Sequence, residues 1–396
     1  MFLFAFLFII INVKKLRMED LNVLKRFAVK GYRNFEDELV LDLSQHGKYD
    51  FNKDLIRSGL INKGIIYGKN GSGKSNLGRA LFDIEKNLGV QNSINYFAKD
   101  TNPTFASLNG NQDVFFSYTF QFDNDEIVYE YTKKDMFYVS SEVLKINGKD
   151  VLVYRGDKDN IKLGFEGTEH LSFELMTDGA SALLFLFKTF KFGPDSPVSK
   201  LFEFVKRMLW FRCLNRGNEF EGHGSAKDIG DRIIEENKLQ DFQNFLREAG
   251  LNYQLIVVPQ IDPATGKSVK RIFAKFKNGQ VPFYSIFSTG TQALELFYYW
   301  SLNFSQYTFV FIDEFDAFYH YELSAAVVKQ LNKKSNFQSF VTTHNTTLMN
   351  NELMRPDCLF IIEDNKISNV AERTSKELRE GHNLEKIYRS RGFDAK

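Results

Sequence analysis

The residues Gly68-Lys69-Asn70-Gly71-Ser72-Gly73-Lys74-Ser75 fill a fixed pattern: a glycine, four free positions, a second glycine, lysine and serine. That spacing suits the binding of a phosphate chain. Its glycines let the backbone curl so that successive amides converge on phosphate oxygens, and a following helix start adds partial positive charge. Lys74 is placed to reach the β- and γ-phosphates of a nucleoside triphosphate. The Ser75 hydroxyl is placed to ligate Mg²⁺, a hard cation that prefers oxygen. Gly68, Asn70, Gly71, Ser72, Gly73, Lys74, Ser75 and Asn76 are therefore expected to hold ATP.

Two further groups in the C-terminal third match this chemistry. Phe309-Val310-Phe311-Ile312 ends in Asp313 and Glu314, the pattern of a second phosphate-site motif whose strand lies beside the phosphate loop. Asp313 would hold the Mg²⁺ shell and Glu314 would polarise the attacking water as general base. Past a helix over Tyr321–Leu331, the apolar run Phe337–Thr343 delivers His344, placed to bond the γ-phosphate and sense it. Between them, Phe287-Ser288-Thr289-Gly290-Thr291-Gln292 opens a helix over Ala293–Ser301. Ser288 and Gly290 make either a second anion cradle or a plain helix cap.

The elements that must position these groups follow from periodicity. Gly64–Tyr67 reads as a buried strand, and Leu77, Ala80, Leu81, Ile84 and Leu88 recur as the apolar stripe of one helix. Near the start, Phe27 and Val29, a turn at Gly31–Phe35, and Leu39–Leu43 predict a hairpin. Residues 113–165 alternate as an antiparallel meander, with turns at Asp123-Asn124-Asp125 and Asn147-Gly148. From Leu171 to Gly250 the period becomes helical, with helices expected over Thr177–Lys191, Val198–Leu214 and Ala226–Ala249. Strands over Gln254–Pro259 and Ile272–Lys277 flank a turn at Pro263–Gly266. The expected fold class is α/β, with parallel strands near Ile65, Phe309 and Phe340 apolar enough to be buried on both faces.

Composition bounds the rest. The chain has 396 residues, 43% of them apolar, enough for one large or two smaller domains. A formal charge of +1 exerts no global pull on nucleic acid or membrane, although a local basic face can hide in a neutral average. Two cysteines without metal-site spacing indicate a reducing compartment, and a cytoplasmic location is expected. The 41 phenylalanines, among them Phe185, Phe187, Phe190 and Phe192, are read as core filling. The apolar run Met1–Asn12 is too short to span a bilayer as a helix. It is read as a product of an upstream start codon, with Met18 beginning the functional protein, or else as a short membrane-associating tail.

Phosphate loop, signature-like turn, acidic pair and switch histidine together resemble the ABC-type phosphate-loop ATPases of the RecF/SMC branch. The set covers most of the chain from about Leu24 to Phe393. More closely, Thr342-Thr343-His344-Asn345-Thr346, the ending His382-Asn383-Leu384-Glu385-Lys386-Ile387-Tyr388, and Phe204-Val205-Lys206-Arg207-Met208 resemble small ATP-binding proteins of bacterial anti-phage and abortive-infection loci. The resemblance implies an ATPase head: residues 18–170 as phosphate-loop lobe with meander, 171–250 as helical insertion, and 251–396 as the lobe of signature turn, acidic strand and histidine. It also implies a head-to-tail dimer, in which Ser288 and Gly290 of one subunit close over ATP held by the other. Arg33, in Tyr32-Arg33-Asn34-Phe35, matches a basic residue that approaches the nucleotide. Two places depart from the pattern: one glycine of the signature turn is missing, and His320 stands where many relatives carry aspartate. Gln121 and Glu142 are the candidates for the glutamine loop.

Two functions are expected from this. One is an ATP-hydrolysing dimeric switch that controls a separately encoded effector, in anti-phage defence. The other is a RecF-like repair factor that binds DNA in its ATP-closed state. An appended nuclease does not fit, because only 52 residues follow His344.

Overall fold

The computed structural model describes residues 22–89, 106, 113–214, 217–222, 229–286, 288–334 and 336–394. The expectations for residues 1–17 and for Phe287 lie outside these. Among the described residues two seven-stranded sheets form the body, with a three-stranded and a two-stranded sheet beside them.

The first large sheet is antiparallel, running in the order Lys162–Leu163, Lys149–Tyr154, Val139–Ile146, Asp125–Lys133, Val114–Phe122, Asn22–Lys30 and Leu39–Asp42. The expected hairpin and meander are thus one sheet, because Asn22–Lys30 pairs with Val114–Phe122 along its length. Its turns sit where the sequence places them, with Asp123, Asn147 and Gly148 at φ of 51°, 50° and 76°. Asparagine, aspartate and glycine tolerate that left-handed backbone.

The second large sheet runs Gly217–Gly222, Met208–Leu214, Phe309–Ile312, Gln338–Thr343, Lys63–Tyr67, Leu359–Glu363 and Lys366–Asn369. Its five inner strands are parallel and its two edges antiparallel. Phe309–Ile312, Gln338–Thr343 and Lys63–Tyr67 are buried at every residue, as strands covered on both faces must be. Helix Lys74–Leu81 lies between the two large sheets. Tyr118 Oη of the meander donates to Ala80 O at 3.0 Å, while a Cβ on Gly78 would stand 2.7 Å from Phe311 and 2.9 Å from Trp210 of the parallel sheet. The helix can approach that sheet so closely only because position 78 has no side chain.

Five expectations change. The acidic strand does not adjoin the phosphate-loop strand: Gln338–Thr343 stands between them, since the crossover through helix Tyr321–Asn332 returns to the nearer slot. The helix expected over Val198–Leu214 is Pro197–Lys206 followed by strand Met208–Leu214, so the 171–250 stretch adds two strands to the parallel sheet as well as helices. Leu201, Val205, Met208 and Leu209 recur at helical spacing, yet from Met208 the chain is extended and Leu209, Trp210 and Phe211 pair strand to strand with Val310, Phe311 and Ile312. Of the helix expected over Ala226–Ala249 the described residues form two helices, Ile229–Glu235 and Leu239–Glu248, and Thr177–Lys191 shortens to Ala182–Thr189, capped by Ser181. The stripe after the phosphate loop breaks at Phe82 into Lys74–Leu81 and Asp83–Asn87.

A smaller core joins helices Ile229–Glu235 and Leu239–Glu248 to the three-stranded sheet Gln254–Ile261, Ser268–Phe276 and Gly279–Pro282, through Ile233, Phe242, Leu246, Leu255, Ile272 and Phe283. Phe185, Phe187, Phe190 and Phe192 pack partly buried against the main core, as expected of filling residues. Among the described residues no helix is long and apolar enough to cross a membrane.

Candidate functional site

Strand Lys63–Tyr67 delivers Gly68 at the carboxyl edge of the parallel sheet. Gly71 and Gly73 then take φ of 79° and 102°, which residues with a Cβ rarely adopt. Space demands glycine as well: a Cβ on Gly68 would stand 2.3 Å from Ser72 Oγ, and one on Gly73 would stand 2.6 Å from Asn34 Nδ2. No side chain caps the helix that begins at Lys74, so its first amides face the loop. Loop and helix start form a concave donor surface.

Lys74 is nearly buried, at 6% exposure, and its Nζ donates to Gly68 O at 2.7 Å and to Lys69 O at 3.1 Å. Burial lowers its pKa, while the charges of Glu314 and then Asp313 pull it back up. The ammonium therefore feels both carboxylates, although a whole strand separates their backbones.

Asp313 is fully buried at the end of Phe309–Ile312. Its Oδ1 accepts from Thr342 Oγ1 at 2.7 Å, and its Oδ2 lies 3.8 Å from Arg212 Nη1 without a hydrogen-bond partner. Glu314 is exposed and turns through a φ of 48°. Its amide donates to the same Thr342 Oγ1 at 2.7 Å, so a single hydroxyl fixes the backbone of one acid and the carboxylate of the other. Ser72 Oγ, in the loop, is also buried without a partner. Buried oxygens of this kind are satisfied in most proteins. Phosphate oxygens and an oxygen-seeking cation would satisfy these, so the residues present fit Mg²⁺ and ATP.

His344 is exposed just past strand Gln338–Thr343. Beneath it, Thr343 Oγ1 donates to Asp316 Oδ1 at 2.7 Å and accepts from Asn345 N at 2.8 Å. Burial raises the Asp316 pKa, against the pull of the Thr343 and Asn345 hydrogen bonds and of the His344 charge. On the other flank Arg33 Nη1 donates to Asn76 Oδ1 at 3.3 Å, Asn76 Nδ2 donates to Asn34 Oδ1 at 2.6 Å, and Asn34 Nδ2 donates to Asn365 Oδ1 at 3.0 Å. Arg33 thus stands against the first turn of the phosphate-loop helix.

Loop, acids, Arg33 and Asn76 meet at one sheet edge. Ser288 and Gly290 do not join them in the described contacts. Ser288 Oγ caps its own helix, Thr289–Ser301, by accepting from Thr291 N at 3.1 Å, and a Cβ on Gly290 would meet Phe318 O at 2.9 Å. His320 is exposed, with Nδ1 3.1 Å from Glu322. Neither glutamine-loop candidate is free to reach a nucleotide. Gln121 Nε2 is bonded to Asp123 O at 2.9 Å, and Glu142 is fully buried, accepting from Ser181, Tyr129 and the amides of Ala182 and Leu183 at a helix start.

Sequence reasoning gave no role to Thr342, Arg212, Asn34 or Asp316. Thr342 and Thr343 carried a signal: two hydroxyls closing an otherwise apolar buried strand need partners at its end.

A family model, AAA_21, described as "AAA domain, putative AbiEii toxin, Type IV TA system", matches residues 65–350. The chain belongs to that family. Together with the order of loop, acidic pair and histidine, the match makes it an ABC-type phosphate-loop protein of the RecF/SMC-like kind, as its sequence resemblance implies. Among curated proteins none matches it. Solved structures that resemble it include an SMC head bound to the C-terminal winged-helix domain of ScpA, at 15% identity and TM-score 0.45, covering 87% of this chain and 96% of that one. The SMC head domain from Thermotoga maritima is similar at 14% identity and TM-score 0.38, covering 87% and 97%. At such low likeness the family match, and not these heads, carries the assignment.

Proposed function

We propose that this AAA-domain protein is an Mg²⁺-dependent ATPase whose ATP-bound form is a head-to-tail dimer, and that this dimer controls a separately encoded effector in anti-phage defence within the cytoplasm. The observation that carries the catalytic part is geometric: at one sheet edge two buried oxygens, Ser72 Oγ in the loop and Asp313 Oδ2 at the end of the acidic strand, are left without hydrogen-bond partners. Lys74, the loop amides and Ser72 hold the phosphates. Ser75 and Asp313 hold Mg²⁺, which when bound offsets charge on the phosphate oxygens. Glu314, exposed and acceptor-only when ionised, takes the proton of the attacking water. His344 reads the γ-phosphate.

The dimer rests on the Ser288 turn, whose hydroxyl bonds Thr291 of its own helix start and not the phosphate loop of its own chain. The separately encoded effector is carried over from the sequence resemblance to abortive-infection ATPases; the family description, which names a putative toxin of a toxin–antitoxin system, supports a two-component setting. ATP should bind the associated form more tightly and so drive association. Light scattering of Glu314→Gln at several concentrations should show ATP- and Mg²⁺-dependent growth in mass, and adding Gly290→Asp should abolish it. A mass independent of ATP in both sinks the dimer switch. Loss of phage protection in cells carrying Lys74→Ala beside the intact neighbouring genes is the expected phenotype, and unchanged protection removes the link to defence.

One observation favours a RecF-like reading. The three-stranded sheet and its turns, residues 254–282, carry Lys267, Lys270, Arg271, Lys275 and Lys277 against Asp262 as the one acid within the segment, a local basic run inside a near-neutral chain in which Arg271 is paired with Asp231. A DNA affinity that falls steeply with salt, and only with ATP present, would move the assignment there.

A further inference from the structure

The C-terminal run His382–Tyr388 takes no part in the phosphate chemistry, yet the fold brings it to the same edge. Helix Leu384–Arg389, capped by Asn383, is tied down twice. Asn351 Nδ2 donates to the carbonyls of Arg379, Glu380 and His382 at 3.0, 3.0 and 3.3 Å, and Thr346 Oγ1 donates to Glu385 Oε1 at 3.0 Å. Tyr388 packs partly buried against the main core, to which the buried Tyr67, last residue of the phosphate-loop strand, belongs. Tyr388 thereby becomes one wall of a cleft of about 360 Å³. Gly68 to Ser72 form the second wall, and Asn34 with the strand end and turn Ile361 to Asn365 closes it.

Strand order gives the cleft its place. Along the carboxyl edge stand the acidic strand, the histidine strand, the phosphate-loop strand, and then Leu359–Glu363, whose end and turn line the cleft. A phosphate chain with its reactive end toward Glu314 and its middle in the loop leaves its other end on the cleft side. There the chain offers an aromatic ring, partly buried and fixed by its helix, and an amide. Asn365 Oδ1 already accepts from Asn34, which leaves Nδ2 as the donor toward the cleft. Asn34 in turn is bonded to Asn76, so cleft and helix start are linked by direct hydrogen bonds. The volume falls in the range of small-molecule sites, and a ring with one amide suits a flat heterocycle with acceptor nitrogens.

The geometry points to this cleft as the subsite for the nucleobase, with Tyr388 as the stacking platform and Asn365 as a hydrogen-bond donor. This rests on the nucleotide reading of the phosphate loop and extends it to residues at the far end of the chain. Stacking on an aromatic ring contributes enough per base that its removal weakens binding by about tenfold or more.

Inorganic triphosphate separates the two readings, since it can fill the loop and not the cleft. Calorimetry with ATP and with triphosphate, each with Mg²⁺, is the test. Wild type should bind ATP more tightly than triphosphate, and Tyr388→Ala should lose about tenfold for ATP while keeping its triphosphate affinity. Tyr388→Phe, which keeps the ring, should bind ATP as wild type does. Asn365→Gly suits the left-handed φ of 59° at that position and should lose ATP affinity alone, by a smaller factor. An equal loss for both ligands in Tyr388→Ala, or an unchanged ATP affinity, overturns the subsite. If wild type binds neither ligand, the nucleotide reading falls and the subsite with it. If ATP affinity is kept while ATP-driven association is lost, the cleft is a contact between copies and the proposal is wrong.

Discussion

The two ends of the proposed ATP site are built by different means. At the phosphate-loop end the parallel sheet does the positioning: Lys74 and Asp313 are buried, and Thr342 locks both acids from the neighbouring strand. At the signature end Ser288 is exposed, and its hydrogen bonds go to Thr291 of its own helix. That helix divides its apolar residues, giving Leu296, Phe297 and Trp300 to the main core and Leu294 and Tyr298 to the smaller one. The first end is preorganised by the fold and the second is only presented by it. A catalytic centre needs the first kind of support, because a misplaced base or metal ligand loses rate steeply. A surface that closes over another copy needs only to be held out.

The contrast is broken most severely at Lys74. Lys74→Ala removes a charge-assisted contact worth about 2–3 kcal/mol, so ATP affinity by calorimetry should fall on the order of 100-fold. Full affinity would mean that the preorganised end is no anion cradle. Glu314→Gln comes next, keeping shape and losing the proton acceptor. Turnover should drop by about 100-fold with ATP binding intact, and a wild-type rate would place the base elsewhere.

Both ends were readable in the sequence to different depths. The glycine loop, the acidic pair and His344 announce themselves because phosphate and Mg²⁺ chemistry admits few residue types at fixed spacing. Strand Met208–Leu214 did not. Its first residues, Met208 and Leu209, continue the helical spacing of Leu201 and Val205, while the run Met208–Phe211 also suits a buried strand, and only pairing with Phe309–Ile312 decides between them. The same holds for the place of the acidic strand, since strand order is a tertiary property that no local pattern carries. Arg212 reaches Asp313 from that unexpected strand, which is why it escaped notice.

Thr342→Val tests how far the sheet alone can hold the acids. It keeps volume, and it strands the Glu314 amide and one Asp313 oxygen. A loss of about 1–3 kcal/mol in unfolding free energy is expected, with slower turnover and little change in ATP affinity. Denaturant titration beside steady-state kinetics measures both, and a stability loss without any loss of rate would show that the preorganisation is structural only.

The smallest effect concerns the loop joining the two ends. It runs from Asp313 and Glu314 past Asp316 to Phe318, whose carbonyl faces Gly290. Burial raises the Asp316 pKa above its ordinary 3.8. The native state therefore binds this proton more readily than the unfolded chain does, and this sets the sign. Below the unfolded value the group is protonated in both states and opposes folding least. As pH rises through the window between 3.8 and the raised value, stability falls, by at most about 1.4 kcal/mol per pH unit for one proton. Asp316→Asn can still accept from Thr343 and carries no charge, so its stability relative to wild type should improve from about pH 4 toward neutrality. Thermal melts of both proteins across that range provide the measurement. If the difference between them stays flat, the hydrogen bonds from Thr343 and Asn345 offset the burial, and the joining loop holds the carboxylate as readily as water does.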